Sequence, residues 1–285
     1  MRLENQRQSS NVEDRRGMRM GGPVGVGGGG IGMIVLILIV SWLTGTNPLS
    51  LLQMTGGGPA NGPAPANTAP PPDDAQSIFI KRVLGDLEET WTAIFADAGE
   101  RYPAPVLVLF TDAVQSGCGA ASAATGPFYC PADSKVYLDL SFFRELDERF
   151  GAPGDFAQAY VVAHEVGHHV QNVLGVNAEV TRLQQRASEA QANALSVRME
   201  LQADCYAGVW GHHAARQNLL EPGDVDEGLR AAAAIGDDRL QRQAQGRVSP
   251  ESFTHGTSEQ RATWLRQGLS SGRIEDCDTF RDGSR

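Results

Sequence analysis

Residues 155–174 read DFAQAYVVAHEVGHHVQNVL, and the spacing of their side chains decides the fold. Val162, Val166, Val170 and Val173 recur at i, i+4, i+8 and i+11, the stripe of a helix with one face on a core. His164 lies roughly 200° around that helix from Val162, at about 100° per residue. His168 follows four residues later, so two imidazoles share one face and can present two nitrogens to a single Zn2+. Glu165, beside the first histidine, is placed to act as general base on a metal-activated water. His164-Glu165-Val166-Gly167-His168 is therefore a candidate H-E-x-x-H centre on a core-packed helix.

A catalytic zinc takes three protein ligands and keeps one position open. A third ligand further along the same helix would need glycine three residues after His168 and histidine three beyond that. Gln171 and Leu174 stand there, which excludes this arrangement. His212 and His213 are adjacent, point about 100° apart on a helix, and read as solvated surface histidines. Glu200, in RMELQAD (198–204), is the best candidate. Asp204 follows one turn later and can accept the Nδ1–H of a ligand histidine, fixing its tautomer. Alone, the two acids would read as a solvated helix face; beside the H-E-x-x-H they read as ligand and support. His169 points about 100° away from His168 and reads as a supporting or structural residue.

Two further segments invite chemistry. In THGTSEQR (254–261), His255 could donate to the oxyanion of a tetrahedral intermediate. The same segment reads equally as a helix start, with Thr257 or Ser258 capping a helix over 259–268. Gly236-Asp237-Asp238-Arg239 is a helix-start pattern whose acids suit the helix dipole.

Working outward, SIFIKRVLGDLEETWTAIFADAG (77–99) carries a helical apolar stripe. APVLVLF (104–110) reads as a buried strand. KVYLDLSFF (135–143) reads as a half-buried strand, with Val136, Leu138 and Leu140 inward and Tyr137 and Asp139 outward. The chain beyond Asp155 looks mainly helical, with breaks at Gly175, Pro222 and Pro250. Strands first and helices later predict an α+β domain over 76–285.

The N-terminal quarter differs. Residues 1–20 hold five Arg against three acids and read as a basic cytoplasmic tail. Ile31–Leu43 is an apolar run of 13 residues inside an uncharged stretch from Val24 to Gly45. Residues 21–45 thus read as a transmembrane signal anchor, in preference to a cleaved signal peptide or a buried helix. Residues 46–75 are rich in Gly, Pro and Ala and read as a disordered linker. The expected arrangement is a single-pass chain in the bacterial cytoplasmic (inner) membrane with its catalytic domain outside the cytoplasm. The net charge of −10 argues against nucleic acid as a partner.

HEVGHHVQ, ELQADCYAGVW, GDDRLQ and THGTSEQR together closely resemble the neutral zinc metallopeptidases of bacteria, as does the leader QSSNVEDRRG. The resemblance spans nearly the whole chain. It implies a zincin-like fold of the gluzincin kind, with His164, His168 and Glu200 on one zinc per chain, Glu165 as base, and Asp204 behind His164. Four cysteines allow three pairings. The resemblance, with simple proximity, favours Cys118–Cys130 and Cys205–Cys277, as expected outside the cytoplasm.

The expectation is a membrane-anchored zinc metalloendopeptidase acting on peptide or protein substrates, with the strand at Tyr137–Leu140 as an edge that pairs with substrate. The alternatives are a zinc-binding interaction module without turnover, with His255 as a possible fourth ligand, and a metal-dependent hydrolase of non-peptide amide or cell-wall material.

Overall fold

The computed structural model describes residues 1–18 and 73–281. The anchor at 21–45 and nearly all of the linker at 46–75 lie outside the described residues. Among those described, no helix is long and apolar enough to cross a membrane.

A mixed sheet and a set of eight described helices share one core. The strands are β1 (Val12–Asp14), β2 (Val106–Phe110), β3 (Ala113–Ser116), β4 (Gly119–Ser122), β5 (Phe128–Cys130) and β6 (Lys135–Asp139). The helices are α1 (Ala75–Asp97), α2 (Phe142–Glu148), α3 (Asp155–Val173), α4 (Val176–Gln184), α5 (Glu189–Arg216), α6 (Asp224–Ala234), α7 (Asp237–Gln245) and α8 (Ser258–Ser271). The main sheet runs β1-β2-β6-β5, with β1, β2 and β6 parallel and β5 antiparallel to β6. β3 and β4 form a separate hairpin.

Two sequence expectations need correction here. The basic tail is instead part of the body: residues 1–17 form one compact unit with the chain from Pro70 onward, and β1 is a strand of the main sheet. Leu3 is buried, and Glu13 pairs with Lys135 of β6. The arginines find acids close by: Arg16 bonds Asp14 and Asp74, and Arg7 bonds Glu88. The four described arginines of this stretch look like a tail only until their partners are known.

The second correction concerns β6. It lies between β2 and β5, so it is not an edge, and both of its faces are buried. Val136 and Leu138 join the main core, while Tyr137 packs with Val108, Phe110 and Val114 under the β3–β4 hairpin. Asp139 is buried because its carboxylate accepts from the backbone N–H of Asp112 and Ser141, both at 2.9 Å. The strand ends there, and α2 begins at Phe142.

α3 lies over the core, with Val162, Val166 and Val170 fully buried. It ends where Gly175 takes φ +78°, a left-handed conformation that frees the chain to turn into α4. The long helix α5 packs against α3 and α8. At the α5–α8 crossing, a Cβ on Gly268 would stand 2.0 Å from the carbonyl oxygen of Cys205, and one on Gly208 2.2 Å from that of Leu265. Only glycine lets these two backbones meet. Both disulfides are present: Cys118–Cys130 ties the β3–β4 turn to β5, and Cys205–Cys277 ties α5 to the C-terminal segment.

Candidate metal centre

Three elements build the centre. α3 supplies His164, Glu165 and His168; α5 supplies Glu200 and Asp204; α8 and the loop before it supply Arg261 and His255. The closeness of α3 to α5 depends on Gly167, where a Cβ would meet the carbonyl oxygen of Ala203 at 2.9 Å. The fourth residue of the H-E-x-x-H stretch is thus the contact that lets Glu200 reach its two histidines.

His164 Nε2 lies 3.2 Å from Glu200 Oε2, and His168 Nε2 lies 3.3 Å from Glu200 Oε1. The two imidazoles and the carboxylate can offer one ligand atom each, all within 4.8 Å of one another. Two imidazole nitrogens and one carboxylate oxygen suit zinc.

The outward nitrogens are fixed from behind. His164 Nδ1 lies 2.9 Å from Asp204 Oδ1, and the Nδ1–H of His168 donates to Gln171 Oε1 at 2.9 Å. Both rings are thereby held in the tautomer that turns Nε2 toward the cluster. Asp204 is fully buried, receiving the Tyr160 hydroxyl at 2.5 Å and the Arg261 guanidinium at 2.9 and 3.0 Å. Gln171 donates in turn to the Met199 carbonyl at 2.7 Å and to Gln202 Oε1 at 3.1 Å. The donor set therefore fits a metal without rearrangement.

The charges are strongly coupled. Burial alone would lower the pKa of His164, but the Asp204 carboxylate outweighs it and raises the group to about 10. Burial likewise opposes ionisation of Glu200, yet the two histidines hold it well below the ordinary carboxylate range. Arg261, nearly inaccessible at 2 % exposure, keeps its charge against burial because Asp204 lies beside it. One buried cation thus offsets part of the charge of buried Asp204 and half-buried Glu200.

The donors lie at the floor of a cleft of about 660 Å³, and Glu165 and His255 line the same cleft. Glu165 is 8 % exposed and hydrogen-bonds no described side chain, so its carboxylate is at liberty beside the donors. The cleft wall opposite includes Gly126, Phe128 and Tyr129, the terminal strand β5 and its approach. The strand edge that the sequence places at Tyr137–Leu140 is one strand further out.

His255 is exposed and belongs to a loop gathered around one carboxylate. Asp237 Oδ2 accepts from the backbone N–H of Thr254, His255 and Gly256 at 2.7, 2.6 and 3.2 Å, and Asp237 Oδ1 lies 3.2 Å from His255 Nδ1. The hydrogen bond to Asp237 raises the His255 pKa above its usual value. Thr257 is the cap of α8, in a capping box with Gln260. The helix-start reading of THGTSEQR thus falls on Thr257, and His255 stands on the turn before it. Asp238 accepts from Ser258, so the acids of the GDDR stretch hold the His255 loop as well as starting α7.

The remaining histidines are structural. His169 is buried between the Tyr129 hydroxyl and the Pro103 carbonyl. His212 and His213, expected to be solvated, are half-buried and bond the carbonyls of Leu269 and Gly272 at the end of α8. Asp155, Asp224 and Glu227 form a second acidic group, which is engaged by the Met1 amino group and the Phe156 N–H.

The sequence pattern of the family described as "Putative neutral zinc metallopeptidase" matches residues 1–280. The chain belongs to that family. Over 287 aligned positions it is 48% identical to the uncharacterized protein YpfJ of Escherichia coli K12, covering 98% of this chain and 99% of that protein. It is also 48% identical over 190 residues to the uncharacterized proteins Mb2605 of Mycobacterium bovis and Rv2575 of Mycobacterium tuberculosis, covering 63% of each chain. No solved structure matches this chain. Family membership implies zinc, and His164, His168 and Glu200 are the described residues arranged to hold it.

Proposed function

We propose that the protein is a membrane-tethered zinc endopeptidase of zincin-like architecture, acting outside the cytoplasm. One observation carries the reading: three convergent donors at the floor of an open cleft, with the free carboxylate of Glu165 lining the same cleft. A bound zinc would supply Lewis-acid polarisation of the scissile carbonyl and a water acidic enough to attack near neutral pH.

The chain's own residues divide the remaining work. Glu165 accepts the proton of the attacking water and passes it to the leaving amine. His255, its Nδ1 turned to Asp237, keeps Nε2–H for the oxyanion that develops on the carbonyl. Asp204 and Gln171 hold the ligand rings in place. β5, at the end of the sheet and on the wall of the cleft, offers a backbone edge to an extended peptide. The two disulfides support an oxidising compartment.

The test is zinc content and peptide-library cleavage by the full chain beside Glu165→Gln. The full chain is needed because residues 1–17 belong to the body. One zinc in both proteins with cleavage only in the wild type is the expected result. Zinc in both and equal cleavage would remove Glu165 as base, and zinc without cleavage in either would favour a binding module.

A further inference from the structure

The cleft changes character along α3. Val161 lines it three residues before His164, one turn away on the same helix face. Beside Val161 the wall is built by Phe142 and Phe150, whose ring centroids lie 6.5 Å apart, and by Ile235 and Leu240 at the junction of α6 and α7. The two halves of this wall are tied together: Arg239, next to Leu240, donates to the Phe150 carbonyl at 3.0 Å. Phe142, Ile235 and Leu240 are half-buried, packing on the core while lining the cleft.

The polar groups at this end are engaged with one another. The Tyr160 hydroxyl donates to Asp204 at 2.5 Å. Arg149, at the rim, lies 3.7 Å from Glu145 and carries its guanidinium 5.1 Å over the Phe150 ring. A charged side chain pushed between Phe150 and Leu240 would lose its hydration and find no counter-ion among these apolar neighbours. A large apolar side chain would gain by leaving water.

We infer that this end of the cleft is a side-chain subsite, and that it selects peptides with a large apolar residue (Leu, Ile, Met or Phe) beside the scissile bond. The inference rests on the peptidase reading above and adds the substrate class to it. The position beside the bond follows from Val161, which stands one turn from the donor His164. Ile235 and Leu240 are the specificity-determining residues, because they close the wall opposite the two phenylalanines from a separate pair of helices.

Glu165→Gln lets binding be read without cleavage. The test titrates the zinc-loaded full chain carrying Glu165→Gln with fluorescent, end-blocked Gly/Ala hexapeptides that differ at one central residue: Leu, Phe, Asn, Asp or Lys. Fluorescence anisotropy should show the Leu and Phe peptides binding about tenfold or more tighter than the other three. Adding Leu240→Lys should reverse the order of the Leu and Asp peptides, since an ammonium would then stand on the wall. Equal binding of all five peptides would overturn the subsite and leave the peptidase reading in place, whereas no binding of any peptide would overturn both. An undiminished preference for Leu in Leu240→Lys would also reject the assignment. If that variant fails to fold, Leu240→Ala decides: it should weaken the Leu peptide several-fold and leave the Asn peptide unchanged, and an equal effect on both would refute the inference.

Discussion

The Nδ1–H of His168 donates to Gln171 Oε1 at 2.9 Å, and the same glutamine amide donates to the Met199 carbonyl, one residue before Glu200. A side chain on α3 thus sets both the ring of one proposed ligand and the position of the helix turn that brings another.

Gln171→Ala should therefore weaken zinc by roughly 10- to 100-fold, the usual cost of losing a partner behind a ligand. Competition against a chelator of known affinity measures this. Affinity equal to the wild type would show that His168 needs no such support.

Gly167→Ala tests the approach of α3 to α5. Its new methyl would stand 2.9 Å from the Ala203 carbonyl oxygen, so the helices must separate slightly. The expected loss is about 1–3 kcal/mol of stability, with weaker zinc binding because Glu200 moves away from both histidines. Urea unfolding and metal titration read the two effects. Gly268→Ala, tighter still at 2.0 Å but on the α5–α8 crossing, should cost stability to a greater extent.

The raised pKa of His255 gives a pH signature. Its imidazolium persists to higher pH than a free histidine's, so an oxyanion donor there should stay charged above the ordinary value and activity should decline as pH rises through the raised pKa. Asp237→Asn removes the group responsible and should shift that decline to lower pH. His255→Ala should reduce turnover about a hundredfold with zinc retained. An unchanged alkaline limb in Asp237→Asn would dismiss His255 as the titrating donor.

Cys205–Cys277 closes a loop of 72 residues, which the chain-entropy relation values at up to about 4 kcal/mol. Replacing both cysteines by serine should lower the melting temperature markedly. Because Cys205 adjoins Asp204 and the Cys277 carbonyl accepts from Gln202, zinc binding should weaken alongside. Mass spectrometry finding four free thiols in the native protein would remove the expectation.

What could be read in the sequence was local in kind. His164 and His168 share a helix face by spacing alone, with Glu165 beside the first of them, and Glu200 with Asp204 repeats that spacing on a second helix. Arg261 was beyond reach, because nothing in THGTSEQR distinguishes an arginine buried against Asp204 from one in solvent. Gln171 carried information only as the absence of a glycine; its amide matters through contacts with α5 that the sequence separates by some thirty positions. β1 was missed for a similar reason: a three-residue, half-buried Val-Glu-Asp has no apolar alternation, and its partner strand lies nearly a hundred residues away. β6 was misread because Tyr137 and Asp139 are polar by type but find buried partners.

The two sides of the cleft are held by unequal means. Tyr129 stands on a strand laddered to β6, its hydroxyl bonded by His169 and Asn172, and the next residue is cross-linked through Cys130. On the other wall, the backbone of Thr254, His255 and Gly256 donates to the Asp237 carboxylate, and the Asp237 N–H donates in return to the Gly256 carbonyl at 2.8 Å. The two walls are thus anchored differently: β5 by a strand ladder and a disulfide, the His255 loop by carboxylates of a neighbouring helix start.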